Sequence, residues 1–174
     1  LGAEVIKVEL PQFGDEARFF GPFQNGESAY FSSVNRGKKS ITIDLRTPEG
    51  SNIVRSLLKD CDVVVENFRP GSMNRFGLGY DQLSHSHPQL VYASISGFGQ
   101  TGPYAKRPAY DVIIQAMGGI SSITGNPGEL PIRVGSSIAD LSAALFSTIG
   151  ILAAWGHAKG TGLGQQVDVS MLDC

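Results

Sequence analysis

Apolar and polar positions follow two alternating patterns along the chain. Short segments rich in β-branched residues and bounded by turn formers predict four strands, at Glu4 to Val8, Ser40 to Asp44, Asp62 to Glu66 and Leu90 to Ser96. A further strand-like alternation begins at Gln166. Between the predicted strands, apolar residues recur at helical spacing and predict helices. One of these helices is expected to begin at Pro48, since proline is favoured at the first position of a helix. Strands that alternate with helices predict an α/β fold with a mainly parallel sheet.

The longest apolar run extends from Leu141 to Trp155. It is shorter than the roughly 20 residues that a membrane-spanning helix needs, so it predicts a buried helix of the core. Asp140 precedes it and is the only charged residue between Arg133 and Lys159. One explanation is structural, because Ser137-Ile-Ala-Asp140 fits the pattern that caps a helix N-terminus. The other is a carboxylate kept for chemistry, since an unpaired charge at the head of a packed helix costs free energy.

Polar loops follow two of the predicted strands, and in open α/β sheets ligands bind at the carboxyl ends of strands. The second loop, Gly97-Phe-Gly-Gln-Thr-Gly102, contains the dinucleotide pattern G-x-G-x-x-G. Pro103 and a polar stretch follow it instead of an apolar helix, which disfavours a nicotinamide or flavin site. His85 and His87 form a polar turn without a neighbouring third ligand, so no metal site is predicted.

Composition narrows the class of protein. The 174 residues are 41% hydrophobic and 17% charged, as expected for one soluble domain. The net charge of -2 gives no reason to expect a nucleic acid or an anionic membrane as partner. Cys61 and Cys174 are too few for a disulfide framework, so we expect a cytoplasmic location. The chain starts without Met and stops after a strand-like segment, so we expect it to be a piece of a larger protein.

Five strings resemble the class III CoA-transferase family, in order and over essentially the whole chain. The strings are Leu1-Gly-Ala-Glu-Val-Ile-Lys-Val-Glu9, Asn35-Arg-Gly-Lys-Lys-Ser-Ile-Thr-Ile-Asp-Leu45, Asp62-Val-Val-Val-Glu-Asn-Phe-Arg-Pro-Gly71, Gly97-Phe-Gly-Gln-Thr-Gly-Pro103 and Gly164-Gln-Gln-Val-Asp-Val-Ser-Met-Leu-Asp173. That family includes formyl-CoA transferase, the carnitine and bile-acid CoA-transferases, and α-methylacyl-CoA racemase. The resemblance implies that residues 1–174 are an internal part of the large, CoA-binding, catalytic domain. The resemblance further implies a Rossmann-like, mainly parallel sheet with flanking helices, truncated at both ends, and a small second domain that we expect to lie outside this chain.

The resemblance also implies a mechanism. Asp140 matches the family's catalytic aspartate, which attacks an acyl-CoA thioester and carries CoA to an incoming carboxylate through anhydride and aspartyl-CoA intermediates. Tyr110 matches a position where racemases carry a histidine. A phenol holds its proton at neutral pH, so racemisation is disfavoured. A core aromatic with a satisfied hydroxyl is an equally good explanation of Tyr110.

The resemblance also assigns individual residues to a CoA-binding site. The positions that match the family's CoA site are Leu45, Arg46, Asn67, Phe68, Arg75 and Phe76. The two arginines match basic positions that lie beside the phosphates in the family, where a guanidinium suits phosphate oxygens. Leu10 departs from the pattern, because several relatives have a basic residue there. CoA is expected as a substrate, with no tightly bound cofactor and no metal, and the full-length protein is expected to form an interlocked homodimer.

Three functions remain open on the sequence. The leading one is a CoA-transferase that moves CoA from an acyl-CoA to a free carboxylic acid. The second is an α-methylacyl-CoA racemase or epimerase, and the third is a CoA-binding fragment without activity. Nothing in the sequence identifies the donor or the acceptor acid.

Overall fold

The computed structural model describes residues 2–174 and divides into two compact units, residues up to Ser56 and Leu57–Cys174. In the first unit a parallel pair joins strand β1 (Ile6–Glu9) to strand β4 (Lys39–Thr42). Between them lie the antiparallel strands β2 (Phe23–Gln24) and β3 (Glu27–Ser28), and helix α1 (Ala29–Asn35). Helix α2 (Pro48–Leu57) begins at the predicted proline.

The polar centre of the first unit is the carboxylate of Glu9, whose side chain is only 2% exposed. It accepts two hydrogen bonds from the Arg18 guanidinium, one from the Ser40 hydroxyl and one from the backbone amide of Asp15. Gly14 passes so close that a Cβ there would lie 2.9 Å from Glu9 Oε2, and its φ of +69° is strained for other residues. The network therefore fixes the segment after β1 against the strand pair.

The second unit contains a three-stranded parallel sheet in the order β5 (Val63–Glu66), β6 (Val91–Ser96) and β7 (Gln166–Ser170). Glu66 is level with Ser94, and Ser94 with Asp168. The predicted strands are present within three residues of their expected bounds, and the mainly parallel α/β architecture is confirmed. The parallel strands form two separate sheets, one in each unit.

The long helix α6 (Ile138–Thr161) packs on the apolar face of this sheet. Its contacts are made by small residues: Ala139 and Ala143 lie near Val169, while Ala154 and Ala158 lie against Val91. The helix approaches so closely that a Cβ at Gly150 would lie 2.7 Å from Val167 Cγ1.

The prediction of a buried helix is correct for the face of α6 that packs on the sheet and wrong for the opposite face. Its large side chains point away from the sheet, with Leu145 67% and Ile149 63% exposed. The sheet takes mainly a narrow stripe of small side chains, together with Ile151, which leaves most of the bulky apolar side chains uncovered. With 24 residues, α6 is also longer than the predicted run and could span a bilayer by length and composition. That property is shared by core helices and carries no further conclusion.

The remaining helices are short. Helices α3 (Ser72–Arg75) and α4 (Tyr80–Ser84) lie between β5 and β6 in the chain, and the buried Tyr92 donates a hydrogen bond from its hydroxyl to the Leu78 carbonyl at 3.0 Å. Helix α5 (Asp111–Met117) packs against α6. One-turn 3-10 helices occur at Glu16–Phe19, Leu58–Asp60, Ile120–Ile123 and Met171–Asp173.

Candidate active site

The N-terminus of α6 lies at the carboxyl end of the sheet. Ala139 packs with Ile95 near the end of β6 and with Val169 near the end of β7, whereas Ala158 packs at the opposite ends of the strands. Asp140 stands in the first turn of this helix. The candidate nucleophile is thus at the edge of the sheet where α/β proteins bind ligands.

Asp111 supplies the cap of α6, and the predicted local cap by Ser137 is wrong. The Ser137 side chain makes no capping hydrogen bond. Instead the carboxylate of Asp111, at the start of α5, accepts hydrogen bonds from the backbone amides of Ala139 at 2.8 Å and Asp140 at 3.4 Å. A buried carboxylate from another helix satisfies the free amides and complements the helix dipole. The side chain of Asp140 is therefore not used to cap its own helix.

The Asp140 carboxylate has an unusual electrostatic setting. Within residues 2–174, no group donates a hydrogen bond to it. Burial by the surrounding protein raises the pKa of Asp140, and the negative charge of Asp111 raises it further. Part of the side chain stays exposed at the same time. A carboxylate that is short of hydrogen-bond donors yet reachable is suited to attack an electrophile.

Tyr110 directly precedes Asp111 and occupies the cap position of α5. Its side chain is 80% exposed, so the explanation of Tyr110 as a core aromatic is wrong. Backbone continuity with Asp111, which binds the amide of Asp140, places the phenol and the carboxylate in the same region of the structure. The exposed ring is available to a ligand.

Four of the predicted CoA residues follow β5. Asn67 donates a hydrogen bond from its side chain to the Ile95 carbonyl at 2.7 Å, which joins the ends of β5 and β6. The rings of Phe68 and Phe76 meet edge to face with centroids 6.0 Å apart, and Phe68 is 44% exposed. Arg75 is exposed and donates to the Ser72 hydroxyl. Together they form an aromatic surface with a cation beside it.

The other two predicted CoA residues lie in the first unit, after β4. Leu45 is partly buried, and Arg46 is exposed. The Arg46 guanidinium forms a two-pronged ion pair with Asp44, at 2.8 and 2.7 Å. Hydrogen bonding from Arg46 lowers the pKa of Asp44 to about 2. The guanidinium is thus held by a neighbour in its own loop.

The G-x-G-x-x-G loop differs from a dinucleotide loop in its continuation. Turns follow it up to Arg107, and the next helix starts only at Asp111. The loop is tied to β7, since the backbone amide of Gln100 donates to the Asp168 carboxylate at 2.9 Å. It is also held internally by the ring contact between Phe98 and Tyr104. Turns therefore stand where a dinucleotide loop would lead directly into a helix.

Two cavities, of about 440 and 470 Å³, lie elsewhere in the second unit. The first is lined by residues 58–62 and 86–90 at the amino ends of β5 and β6, the second by the loop at Phe98 and the end of β7. Among the residues described, no group of three or more His, Cys, Asp or Glu side chains could hold a metal ion.

Sequence reasoning missed two residues of the site, Asp111 and Gln115. Both are polar side chains at buried positions, 8% and 0% exposed, and they are bonded to each other and to the start of α6. The available signal was the i, i+4 spacing of two polar residues in an otherwise apolar short helix.

Comparison with known proteins gives consistent results. The family model for CoA-transferase family III matches residues 1–174. Succinate–glutarate CoA-transferase of Agrobacterium fabrum is 46% identical over 99% of this chain and 45% of its own length, and acetyl-CoA:oxalate CoA-transferase of Acetobacter aceti is 48% identical over the same shares. The crystal structure of a CAIB/BAIF family protein from Brucella suis is 48% identical, with a TM-score of 0.94 over 100% of this chain and 47% of that protein. The chain thus spans slightly less than half the length of these relatives.

Proposed function

The chain belongs to CoA-transferase family III, and we propose that the complete protein containing it moves CoA from an acyl-CoA donor to a free carboxylic acid. The observation that carries this proposal is the Asp140 carboxylate, which is reachable at the ligand-binding edge of the sheet and receives no hydrogen bond from the described residues. The backbone around it is held by Asp111, so the carboxylate itself is left for chemistry.

The first half of the reaction transfers CoA to the protein. A carboxylate oxygen of Asp140 attacks the thioester carbonyl, the carbon–sulfur bond breaks, and CoA leaves as a thiolate. The products are a mixed anhydride and free thiolate. The thiolate then attacks the Asp140 carbonyl carbon, which releases the donor acid as a carboxylate and leaves an aspartyl-CoA thioester.

The second half repeats these steps in reverse order with a new acid. The acceptor carboxylate attacks the aspartyl thioester and expels the thiolate, and the thiolate attacks the acceptor carbonyl. Acyl-CoA leaves, and Asp140 returns as a carboxylate. Partial burial of the Asp140 carboxylate removes some of the water that it would otherwise have to lose before attack, which favours the first step.

Residues after β5 would hold the CoA moiety. An aromatic pair, Phe68 and Phe76, offers an exposed face for the adenine or pantetheine, and Arg75 is an exposed cation at the end of α3 suited to a phosphate. For Arg46 to bind a phosphate, its ion pair with Asp44 has to open or the phosphate has to share the guanidinium. We further propose that the complete protein is a homodimer.

Trapping of the acylated aspartate tests this function. The complete protein is incubated with succinyl-CoA or acetyl-CoA and hydroxylamine, digested with trypsin and weighed by mass spectrometry. The peptide from Val134 to Lys159 has one side-chain carboxylate, Asp140, so a hydroxamate on it is located without ambiguity. We expect this mass in the native protein and not in Asp140→Ala.

The control is Asp81→Asn, which removes an exposed carboxylate from α4. It should label as the native protein does. An unmodified peptide in the native protein with both donors would contradict covalent catalysis at Asp140. Exchange of the α-proton of a 2-methylacyl-CoA in deuterated water, without CoA transfer, would then favour the racemase.

A further inference from the structure

Gln115 is the most completely enclosed polar side chain near the candidate nucleophile. It is 0% exposed and among the largest fully buried side chains of the described chain. Its amide nitrogen donates to Asp111 Oδ2 at 2.6 Å and to the Ser136 carbonyl at 3.3 Å, and its amide oxygen accepts from the Val134 amide at 2.8 Å. Burying an amide is unfavourable unless such partners are present, so this position is built for hydrogen bonding.

The partners of Gln115 belong to two structures that meet at Asp140. One is the Asp111 carboxylate, whose second oxygen binds the amides of Ala139 and Asp140. The other is the segment from Val134 to Ser136, which leads directly into α6. A single side chain therefore fixes both the cap of the helix and the chain that enters it.

This double attachment has a geometric consequence. Without the donor at Oδ2, Asp111 could rotate away from the helix amides, and without the acceptor for Val134 the entering segment could shift. Either change moves the first turn of α6 and with it the direction of the Asp140 side chain. Displacements of about 1 Å in a reacting group can cost about 100-fold in rate.

We propose that Gln115 is a positioning residue for Asp140, acting through Asp111 and the segment before α6. This inference rests on the proposed function, in which the Asp140 carboxylate attacks the thioester. Gln115 itself touches no substrate. Its contribution is to hold the nucleophile in one orientation with its side chain free of the helix cap.

The first test compares Gln115→Met with Ser147→Ala in the complete protein. Methionine keeps the approximate volume but loses all three hydrogen bonds. Ser147→Ala removes a buried hydroxyl whose only hydrogen bond within residues 2–174 is to the Ala143 carbonyl of its own helix. We expect Gln115→Met to lower kcat and the rate of hydroxamate formation at Asp140 by about 100-fold. The KM for acyl-CoA should change little, because no CoA contact is removed. Ser147→Ala should stay close to the native rate.

The second test is Gln115→Glu, which separates positioning from a loss of folding. An ionised glutamate accepts from the Val134 amide but cannot donate to Asp111, whereas a protonated one can do both. Asp111 and Asp140 lie at this cluster, and Arg133 is an exposed cation directly before Val134. Among the other charged or titratable residues on the helical elements packed against α5, Asp173 is in the last 3-10 turn, and His157 and Lys159 are at the far end of α6. The activity of the variant relative to the native protein should therefore rise as the pH is lowered.

The outcomes distinguish the two proposals. A native protein without hydroxamate at Asp140 contradicts the proposed function itself. A labelled native protein together with native kcat in Gln115→Met overturns the positioning role alone. If Gln115→Met does not fold, a relative activity of Gln115→Glu that is flat with pH also overturns it, and a rise at low pH supports it.

Discussion

Glu9 and Asp140 are carboxylates with opposite surroundings. Glu9 receives four hydrogen bonds, two of them from Arg18, and this pairing lowers its pKa to about 2. Asp140 receives none from the described residues, and burial together with Asp111 raises its pKa. The first carboxylate is fully used in holding its unit together. The second keeps its lone pairs free, which is the property that a nucleophile needs. This freedom has a cost in folding free energy.

The largest effect should come from removing the unpaired carboxylate. Asp140→Asn should reduce CoA transfer by the complete protein by about 10,000-fold or more, because an amide cannot form the anhydride. Steady-state assays with an acyl-CoA donor and a dicarboxylate acceptor measure this. The matched change Glu9→Gln should retain most of the turnover of a folded protein. Comparable losses in the two variants would contradict the division of roles.

The paired carboxylate should dominate stability. Glu9→Gln removes the carboxylate that pairs with Arg18, and the Glu9 side chain is only 2% exposed. We therefore expect a loss of about 2 kcal/mol in the free energy of unfolding. The pKa of Glu9 is lower in the folded than in the unfolded chain, so its contribution is complete above its ordinary value of 4.5 and disappears as the pH falls towards about 2.

Urea titrations of the native protein and of Glu9→Gln between pH 7 and the acid range measure this dependence. The difference in the free energy of unfolding between the two proteins should be constant near neutrality and should shrink as the pH falls below 4.5. A difference that does not change with pH would mean that the network stabilises through packing, for example of Arg18 over the Phe31 ring at 3.9 Å, and not through the charge.

The charge of Asp111 should influence how the activity depends on pH. Its charge raises the pKa of Asp140, so Asp111→Asn should lower that pKa and move the acid limb of the kcat/KM profile to lower pH, while kcat falls because the cap is weakened. The control Asp81→Asn should leave the limb in place. A limb that stays in place or moves to higher pH would contradict the charge of Asp111 as a cause of the raised pKa of Asp140.

The local parts of this picture could be predicted from the sequence. The strands, the start of α2 at Pro48 and the solitary Asp140 depend on residues adjacent in the chain. The cap of α6 could not, because Asp111 is 29 positions away from the amide of Asp140 that it binds and Ser137 offered a plausible local substitute. Only the packing of α5 on α6 decides between them.

The exposure of individual apolar side chains could not be predicted from the sequence either. An apolar run predicts burial, yet in α6 the sheet receives Ala143 and Ala154 while Leu145 faces outward. Which side of an apolar helix is covered depends on how closely it approaches its neighbour, and Gly150 sets that distance here. Tyr110 shows the same limit, since its 80% exposure follows from its place at the head of α5.

The smallest expected effect is also the most direct measure of what the unpaired carboxylate costs. The pKa of Asp140 is higher in the folded than in the unfolded chain, so ionised Asp140 opposes folding above that raised value, and the penalty vanishes as the pH falls towards the ordinary value of 3.8. Asp140→Asn should therefore raise the thermal midpoint at pH 7, by about 1–2 °C because the side chain remains partly exposed. The gain should disappear in acid. Calorimetry at several pH values measures it, and a lower midpoint in the variant at pH 7 would mean that Asp140 contributes to folding as Glu9 does.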